Sequence, residues 1–562
     1  MGKSELAIPG LGDQSTRSCR EHKSASGMGA AVTRRAGIFQ DEANYPLTER
    51  RRSERSPKKP LVVMKFGGTS VGDASCIKRV AEIIRASSRE SNVVVVVSAM
   101  SGVTNRLLEA ATNAETGDRT RVGAILEDLR KQHNAVAGAL IRSTAGRKRI
   151  DRKVHTLFQE ADALCQGTIL LHELTLRARD AIASLGERLS ARLVAAVLAD
   201  SGMASEAIDA TEVIVTDSCY GGAEPLMDLT RERCNARVHP LVRQGIIPVV
   251  TGFIGATAEG IVTTLGRNGS DYSATILGAA LGADEVIIWS DVDGVLTVDP
   301  RLVPGVRRIP EISYREAAEL AYFGAKVLHP KTLRPVIQSG TPIWICNTFA
   351  PERPGTRITR VGSSNGGGVK ALTAIGDVAL ITVGGPGMLG VPDVLGRTFK
   401  TTTAVQASVL LSSQSSSQND ICLVISSAVA ERTVEALRHE FAQDLAHERV
   451  EHVTLDPNVA IIALVGENMR GVSGIVGRTF GALDRENIDI IAIAQGSSVC
   501  SISFVVPRKD MRASLIAAHR EFGLGTEFEA SSEEMSVNVD ATPESAPPSG
   551  PMKAANFAAS AD

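Results

Sequence analysis

Aromatic residues are scarce in this 562-residue chain, only 4% of it, which argues against the stacking platforms that hold single-stranded nucleic acid. A surplus of either charge is missing too: 61 basic against 63 acidic residues leave a formal charge of −2 and no overall field to attract a polyanion. Nucleic acid is therefore not expected as a partner. No C-x-x-C pair occurs among the eight scattered cysteines, which fits neither a disulfide framework nor a zinc site and points to a reducing, cytoplasmic setting. No apolar run approaches the roughly 18 to 20 residues that span a bilayer; "VVVVV" at 93–97 is strand length, so no membrane partner is expected. The P-loop pattern G-x-x-x-x-G-K-[ST] is absent, and so are the H-R-D and D-F-G signatures of protein kinases.

What is present has the composition of a soluble globular protein, and the length implies several domains. Residues 1–60 are polar and end in the charge run "TERRRSERSPKKP", which reads as a disordered tail; its seven acids argue against a transit peptide. From 61 to 355, Val- and Ile-rich runs such as "LVVMKF" and "EVIIWSDV" alternate with helical patterns. That predicts an α/β domain with a largely parallel sheet covered on both faces. A Gly/Ser-rich connector follows, within a linker expected over 356–370. The chain then repeats itself: "GVPDVLGRTF" at 390 recurs as "GVSGIVGRTF" at 471, and Gln414 recurs as Gln495 at the same offset. Two α+β modules are expected, over 371–450 and 456–528, before a second disordered tail at 529–562.

Chemistry concentrates at the exits of the apolar runs. "VVMKFGGTSVGD" places Lys65 at the end of a buried strand, then Gly67 and Gly68, then hydroxyls before a helix; backbone amides and a cation together can hold phosphates. "SAMSGVTN" carries Ser98 and Thr104, and "GERLSARLV" opens a helical pattern with Glu187; singly, these read more readily as structural, as helix caps and a first-turn acid. "GRNGSDYSA" at 266–274 crowds Arg267, Asn268, Gly269, Ser270 and Asp271 into one turn, more polar groups than a turn requires. "WSDVDGVLTVDPR" has Asp291 and Asp293 but lacks the closing Glu of a calcium loop, so no protein-held metal is expected. "YFGAKVLHPKTLRP" adds Lys326, and His329 as a helix-end residue.

Taken in order, "KFGGTSVGD", "SAMSGVTN", "GERLSARL", "TLGRNGSDYSA", "WSDVDGVLTVDPR" and "FGAKVLHP" resemble the aspartate kinases of the amino-acid kinase family, over about Leu61 to Val506. The repeated modules look like that family's ACT regulatory domains. "GRNGSDYSA", with Asn268 where lysine-sensitive relatives usually carry glycine, and "IDIIAIAQGSSVCSISFVV" look closest to the kinase half of bifunctional aspartate kinase–homoserine dehydrogenase; no dehydrogenase pattern follows Val506.

The resemblance implies phosphorylation of L-aspartate by MgATP to 4-phospho-L-aspartate, the first step towards lysine, threonine and methionine. By carry-over, Lys65, Asp271 and Lys326 would be catalytic, and Ser98, Thr104, Glu187, Arg267, Asn268, Gly269 and Ser270 would receive aspartate. Lys65, Phe66, Gly67, Gly68, Thr69, Ser290, Asp291, Leu296, Arg301, Lys326 and Val327 would line the ATP site, with Mg²⁺ carried on the phosphates; Leu296 stands where relatives can have an adenine-side tyrosine. Gln414 and Gln495 would contact an amino-acid effector, threonine before lysine, and ACT pairing between copies would give a homodimer or tetramer. The last chain segment would return to complete the first module. Two competitors remain at this point: a kinase of the same fold acting on acetylglutamate, glutamate or carbamate, and an amino-acid sensor with an inactive kinase domain.

Overall fold

A computed structural model describes residues 59–525, save 326–327, 364–367, 386–387, 389–390, 392, 415–418, 468, 470–471 and 495–499. The first strand shows why the sheet is covered on both faces. In β1 (Leu61–Phe66), Val62, Met64 and Phe66 enter one apolar core while Val63 enters a second on the opposite face. The first core is built from α1 (Ala74–Ser88), β2 (Asn92–Val97), α2 (Val103–Glu115), α3 (Arg119–Leu140), α4 (Thr144–Leu171) and α5 (Leu176–Asp200). β3 (Ser205–Ile208), α6 (Met227–Arg243), β4 (Ile247–Thr251) and the small hairpin of β5 (Ile254–Ala256) and β6 (Val262–Thr264) come next. They lead into α7 (Gly269–Leu281), a helix buried nearly all round, as its run of Ala, Ile, Leu and Gly requires.

β7 (Glu285–Ser290), β8 (Glu311–Ser313), α8 (Tyr314–Tyr322), α9 (Pro330–Ser339), β9 (Ile343–Asn347) and β10 (Thr356–Thr359) complete this half. Its eight-stranded sheet runs β3-β4-β2-β1-β7-β9-β10-β8 and is parallel except where β10 meets β9. Strand order reverses at β1, with β2 and β4 to one side of it and β7, which follows later in the chain, to the other. The crevice outside the carboxyl ends of such strands is where open α/β sheets bind ligands. The linker expected from residue 356 starts later, because Thr356–Thr359 pairs with both β9 and β8 and belongs to this sheet.

The second half comprises β11 (Ala371–Gly384), α10 (Val394–Ala404), β12 (Val409–Gln414), β13 (Asp420–Ser426), α11 (Ala430–Glu440), α12 (Ala442–Ala446) and β14 (His452–Val465). α13 (Ile475–Asp484), β15 (Ala492–Ala494), β16 (Ser501–Pro507) and α14 (Met511–Glu521) follow. All six strands form one sheet in the order β12-β13-β11-β14-β16-β15. The two long strands divide their labour. Residues 378–384 of β11 pair with β13 and with the first half of β14, while residues 371–375 pair with 461–465 of β14, next to β16. Ile381 and Val383 accordingly pack in the first module's core and Leu372 in the second's. The strand exchange runs opposite to expectation: the segment entering the first module completes the second. Residues 526–528, assigned to that module from sequence, lie outside the described residues.

The two halves meet along α8. Glu316, 1% exposed, closes a capping box in which the N–H of Ser313 donates to its carboxylate at 2.7 Å. The same carboxylate takes Lys370 Nζ at 2.9 Å, from just before β11, and the N–H of Glu467 at 2.8 Å, from just after β14. Further along the helix, Ser501 Oγ donates to Glu319 at 2.8 Å, and Tyr322 Oη donates to the carbonyl of Leu410 at 3.2 Å. Among the described residues, no helix is long and apolar enough to cross a membrane.

Candidate active site

A cleft of about 720 Å³ opens at the carboxyl ends of β1, β2 and β7. Lys65, the penultimate residue of β1, reaches Asp271 in the first turn of α7 with an Nζ–Oδ1 separation of 2.5 Å. Both side chains are largely buried, so the pair is only weakly screened by solvent. Gly68 follows at the turn because a Cβ there would stand 3.1 Å from the carbonyl of Ala99. Phe66 is buried beneath the turn, stacked on Trp289 with ring centroids 6.0 Å apart.

α5 brings Glu187 to the floor of the cleft. Gly186 permits this, since a Cβ at that position would lie 2.8 Å from the Cβ of Ala99 and push the helix away. Glu187 is 3% exposed and its Oε2 has no hydrogen-bond partner in the protein. Burial pushes its carboxyl up to about 8, with the backbone amides of Ala99 and Glu187 only partly opposing the shift. A buried carboxyl with an unused oxygen facing a cleft is a receptor for a cation.

The crowded turn of residues 266–271 forms the opposite wall. Gly266 and Asn268 are both left-handed, at φ 77° and φ 56°; glycine suits such a position and asparagine is among the few other residues that tolerate it. Arg267 is exposed between them and faces the cleft, while Gly269 and Ser270 are buried at the start of α7. Phe253, also lining the cleft, is a bulky residue at φ 67°, and its ring fills the place a side chain at Gly269 would take.

Of the residues expected from sequence, Lys65, Gly68, Thr69, Ser98, Thr104, Glu187, Arg267, Asn268, Gly269, Ser270, Asp271 and Asp291 are brought together around this one cleft. Gly67 hydrogen-bonds the carbonyl of Trp289 at 3.3 Å, and Ser290 Oγ donates to Asp291 at 3.1 Å; both flank the cleft without lining it. Leu296 is half-buried in a bridge to Arg308, and Arg301 is exposed and paired with Asp299 at 2.5 Å, so neither faces the cleft. His329 caps α9, accepting the N–H of Lys331 on Nδ1 at 3.2 Å. Gln414 is exposed at the end of β12. Lys326, Val327 and Gln495 lie outside the described residues.

Sequence reasoning missed Asp180. It is 3% exposed in the cleft wall and accepts three bonds, from the N–H groups of Gly221 at 2.9 Å and Thr264 at 2.8 Å and from Thr264 Oγ1 at 2.8 Å. Nothing local marks it in the sequence, since α5 carries several other charged residues and the groups that bind Asp180 lie 41 and 84 residues away.

Among the described residues no three His, Cys, Asp or Glu side chains gather as a metal site. Of the carboxylates that line the cleft, Asp271, paired with Lys65, and Asp291 would face the water shell of a nucleotide-bound Mg²⁺.

Residues 60–347 match the model of the amino acid kinase family, and residues 381–441 and 462–522 each match an ACT domain. The chain is 36% identical over 471 residues to the chloroplastic bifunctional aspartokinase/homoserine dehydrogenase 1 of Arabidopsis thaliana, covering 82% of this chain and 51% of that one. It thus spans about half the length of the bifunctional relatives it matches. It is 33% identical over 523 residues to the chloroplastic aspartokinase 1 of the same plant, covering 92% and 88%. E. coli aspartokinase III, solved with aspartate and ADP in its R-state, superposes with a TM-score of 0.68 at 31% identity, covering 82% of this chain and all of the other. Its T-state, with lysine and aspartate, superposes at 0.68 with 30% identity, covering 82% and 99%.

Proposed function

Because the chain belongs to the aspartokinases of the amino acid kinase family, we propose that it transfers the γ-phosphoryl group of ATP to the side-chain carboxylate of L-aspartate. The observation that carries this reading is the pairing of two opposite receptors in one cleft: the buried, unsatisfied Glu187 and the exposed Arg267. An α-amino acid offers an ammonium to the first and an α-carboxylate to the second. N-acylated or carbamate substrates offer no ammonium, which disfavours kinases of acetylglutamate and carbamate; glutamate shares the ammonium, and against it stand the paired ACT modules and the 88% coverage of an aspartokinase.

The chemistry asks little of the protein in proton transfer. The attacking carboxylate, with a reference pKa of about 3.9, is already ionised at neutral pH. The work is to bring two anions together and to compensate charge as the phosphoryl group moves. Lys65, held by Asp271, meets the phosphates together with Lys326, and Gly68 and Thr69 line the anion loop; Gly67, expected there too, spends its N–H on the Trp289 carbonyl. Glu187 takes the aspartate ammonium, Arg267 takes its α-carboxylate, and Ser98 and Thr104 add hydrogen bonds. Mg²⁺ carried on the nucleotide would neutralise phosphate charge. The ADP and aspartate complex of E. coli aspartokinase III supports both ligands.

The ACT modules would bind an amino-acid effector through Gln414 and Gln495 and shift the population of active kinase. Threonine is the effector favoured by likeness to the bifunctional enzymes, and lysine by the complex of E. coli aspartokinase III. The modules would also join copies into a dimer or tetramer. A cytoplasmic address is the reading favoured by the scattered cysteines and by the seven acids within residues 1–60; the plant relatives' chloroplastic names supply the competing location. The deciding experiment is hydroxylamine trapping of the acyl phosphate with MgATP and aspartate, titrated separately with threonine and lysine. Aspartyl hydroxamate suppressed by one of them is expected. No hydroxamate under any condition would leave an amino-acid sensor as the better reading.

A further inference from the structure

We infer that Asp180 and Lys331 form a two-sided clamp that positions Arg267 for the substrate, an inference that rests on the kinase reading above. Two segments face each other beside the substrate wall: residues 221–224, and residues 264–266 leading into Arg267. The N–H of Ala223 donates to the carbonyl of Thr264 at 2.9 Å, and a Cβ on Gly266 would stand only 3.1 Å from the carbonyl of Gly221. That single backbone bond does not fix the geometry of a left-handed turn carrying an exposed arginine.

The two side chains close it. From within the cleft wall, Asp180 takes an N–H from each segment on one carboxylate oxygen, at 2.9 Å from Gly221 and 2.8 Å from Thr264. From outside the cleft, Lys331 points its ammonium at carbonyls of both segments, Gly222 at 3.4 Å, Ala223 at 3.3 Å and Leu265 at 3.4 Å. Glu224 pairs with the same ammonium at 3.2 Å, and the Tyr272 ring lies 5.0 Å beneath it. The Tyr272 hydroxyl donates to Glu224 at 3.0 Å, so the outer half of the clamp is anchored in α7, the helix that also carries Asp271.

Lys331 stands in the first turn of α9, five residues after Lys326. It therefore ties the start of α9 to the turn that grips the substrate. Neither Asp180 nor Lys331 is needed to hold the reacting atoms. Both act through Arg267 and are positioning residues.

The test is steady-state kinetics on the full chain with aspartyl hydroxamate as product, alongside calorimetric melting. Lys331→Met is expected to raise the KM for aspartate about tenfold while kcat changes less than about threefold, as a displaced binding group would. Lys331→Arg, which keeps a donor for the carbonyls, is expected to recover most of that loss. Asp180→Ala is expected to act like Lys331→Met. Asp180→Asn is expected to be mild, because an amide oxygen can still accept both N–H groups while its NH₂ meets the Thr264 hydroxyl. If Asp180→Ala does not fold, the Lys331 pair alone decides. Variants that lower the melting temperature while leaving the aspartate KM within about twofold of wild type would overturn the clamp. Wild-type protein forming no hydroxamate would overturn the kinase reading beneath it, so the two failures are distinct.

Discussion

Two buried glutamates separate the two tasks of this molecule. Glu316, at the junction of the halves, is 1% exposed and saturated: its own helix start, a lysine and a distant backbone amide all bind it. Glu187, in the cleft, is 3% exposed, and one of its oxygens binds nothing in the protein. Burial without compensation is unfavourable in the folded chain, so an arrangement like that of Glu187 marks a place where a ligand supplies the missing partner. The saturated carboxylate holds the fold, and the unsatisfied one is the proposed receptor for the substrate ammonium.

The largest expected effect breaks the contrast at the cleft. Glu187→Gln removes the counter-charge for the substrate ammonium and should raise the KM for aspartate by about 10²-fold or more, as expected when one partner of a buried charge pair is removed. The pH dependence follows from the upward shift. In the empty protein the carboxyl is protonated below about 8, and aspartate requires it ionised, so binding at neutral pH should release a proton. Calorimetry in buffers of different ionisation enthalpy reads that release, and Glu187→Gln should abolish it. The same group makes the free protein lose stability as pH rises from the unfolded carboxyl range through about 8; melting curves of Glu187→Gln should lack this slope.

Glu316→Gln should invert the pattern. It withdraws a charge from three donors and should cost about 2–3 kcal/mol in stability, visible in melting, with an aspartate KM near that of wild type. Equal stability losses at the two glutamates would dissolve the distinction. The smallest effect is expected at the turn: Asn268→Ala forces a Cβ without a polar tip into φ 56° and should cost about 1 kcal/mol, whereas Asn268→Gly should be neutral by the same melting measurement.

Much of the site was legible because its residues announce themselves locally. Lys65 follows an uninterrupted apolar strand, Glu187 stands in the motif "GERLSARL", and Arg267 to Asp271 overload one turn. Asp180 was not legible, since its partners are backbone amides 41 and 84 residues away and backbone groups leave no mark in a sequence. Arg301, singled out by its motif, lies outside the cleft lining, with its guanidinium on Asp299 two residues before it. The parallel sheet followed from strand and helix alternation. The strand exchange between the modules did not, because an internal repeat reveals likeness between copies and not which copy a strand joins.

That exchange sets the grain along which the regulatory half can be cut. A break at residue 450 would deprive the first module of the start of β14 and leave the second without any of its own first strand. Removing the residues before 378 would damage the module that comes later in the chain. Neither copy is therefore a transferable cassette. Moving effector specificity between relatives means exchanging the whole span from Ala371 through the end of α14, and substitutions in one copy are inherited by the other through two shared strands.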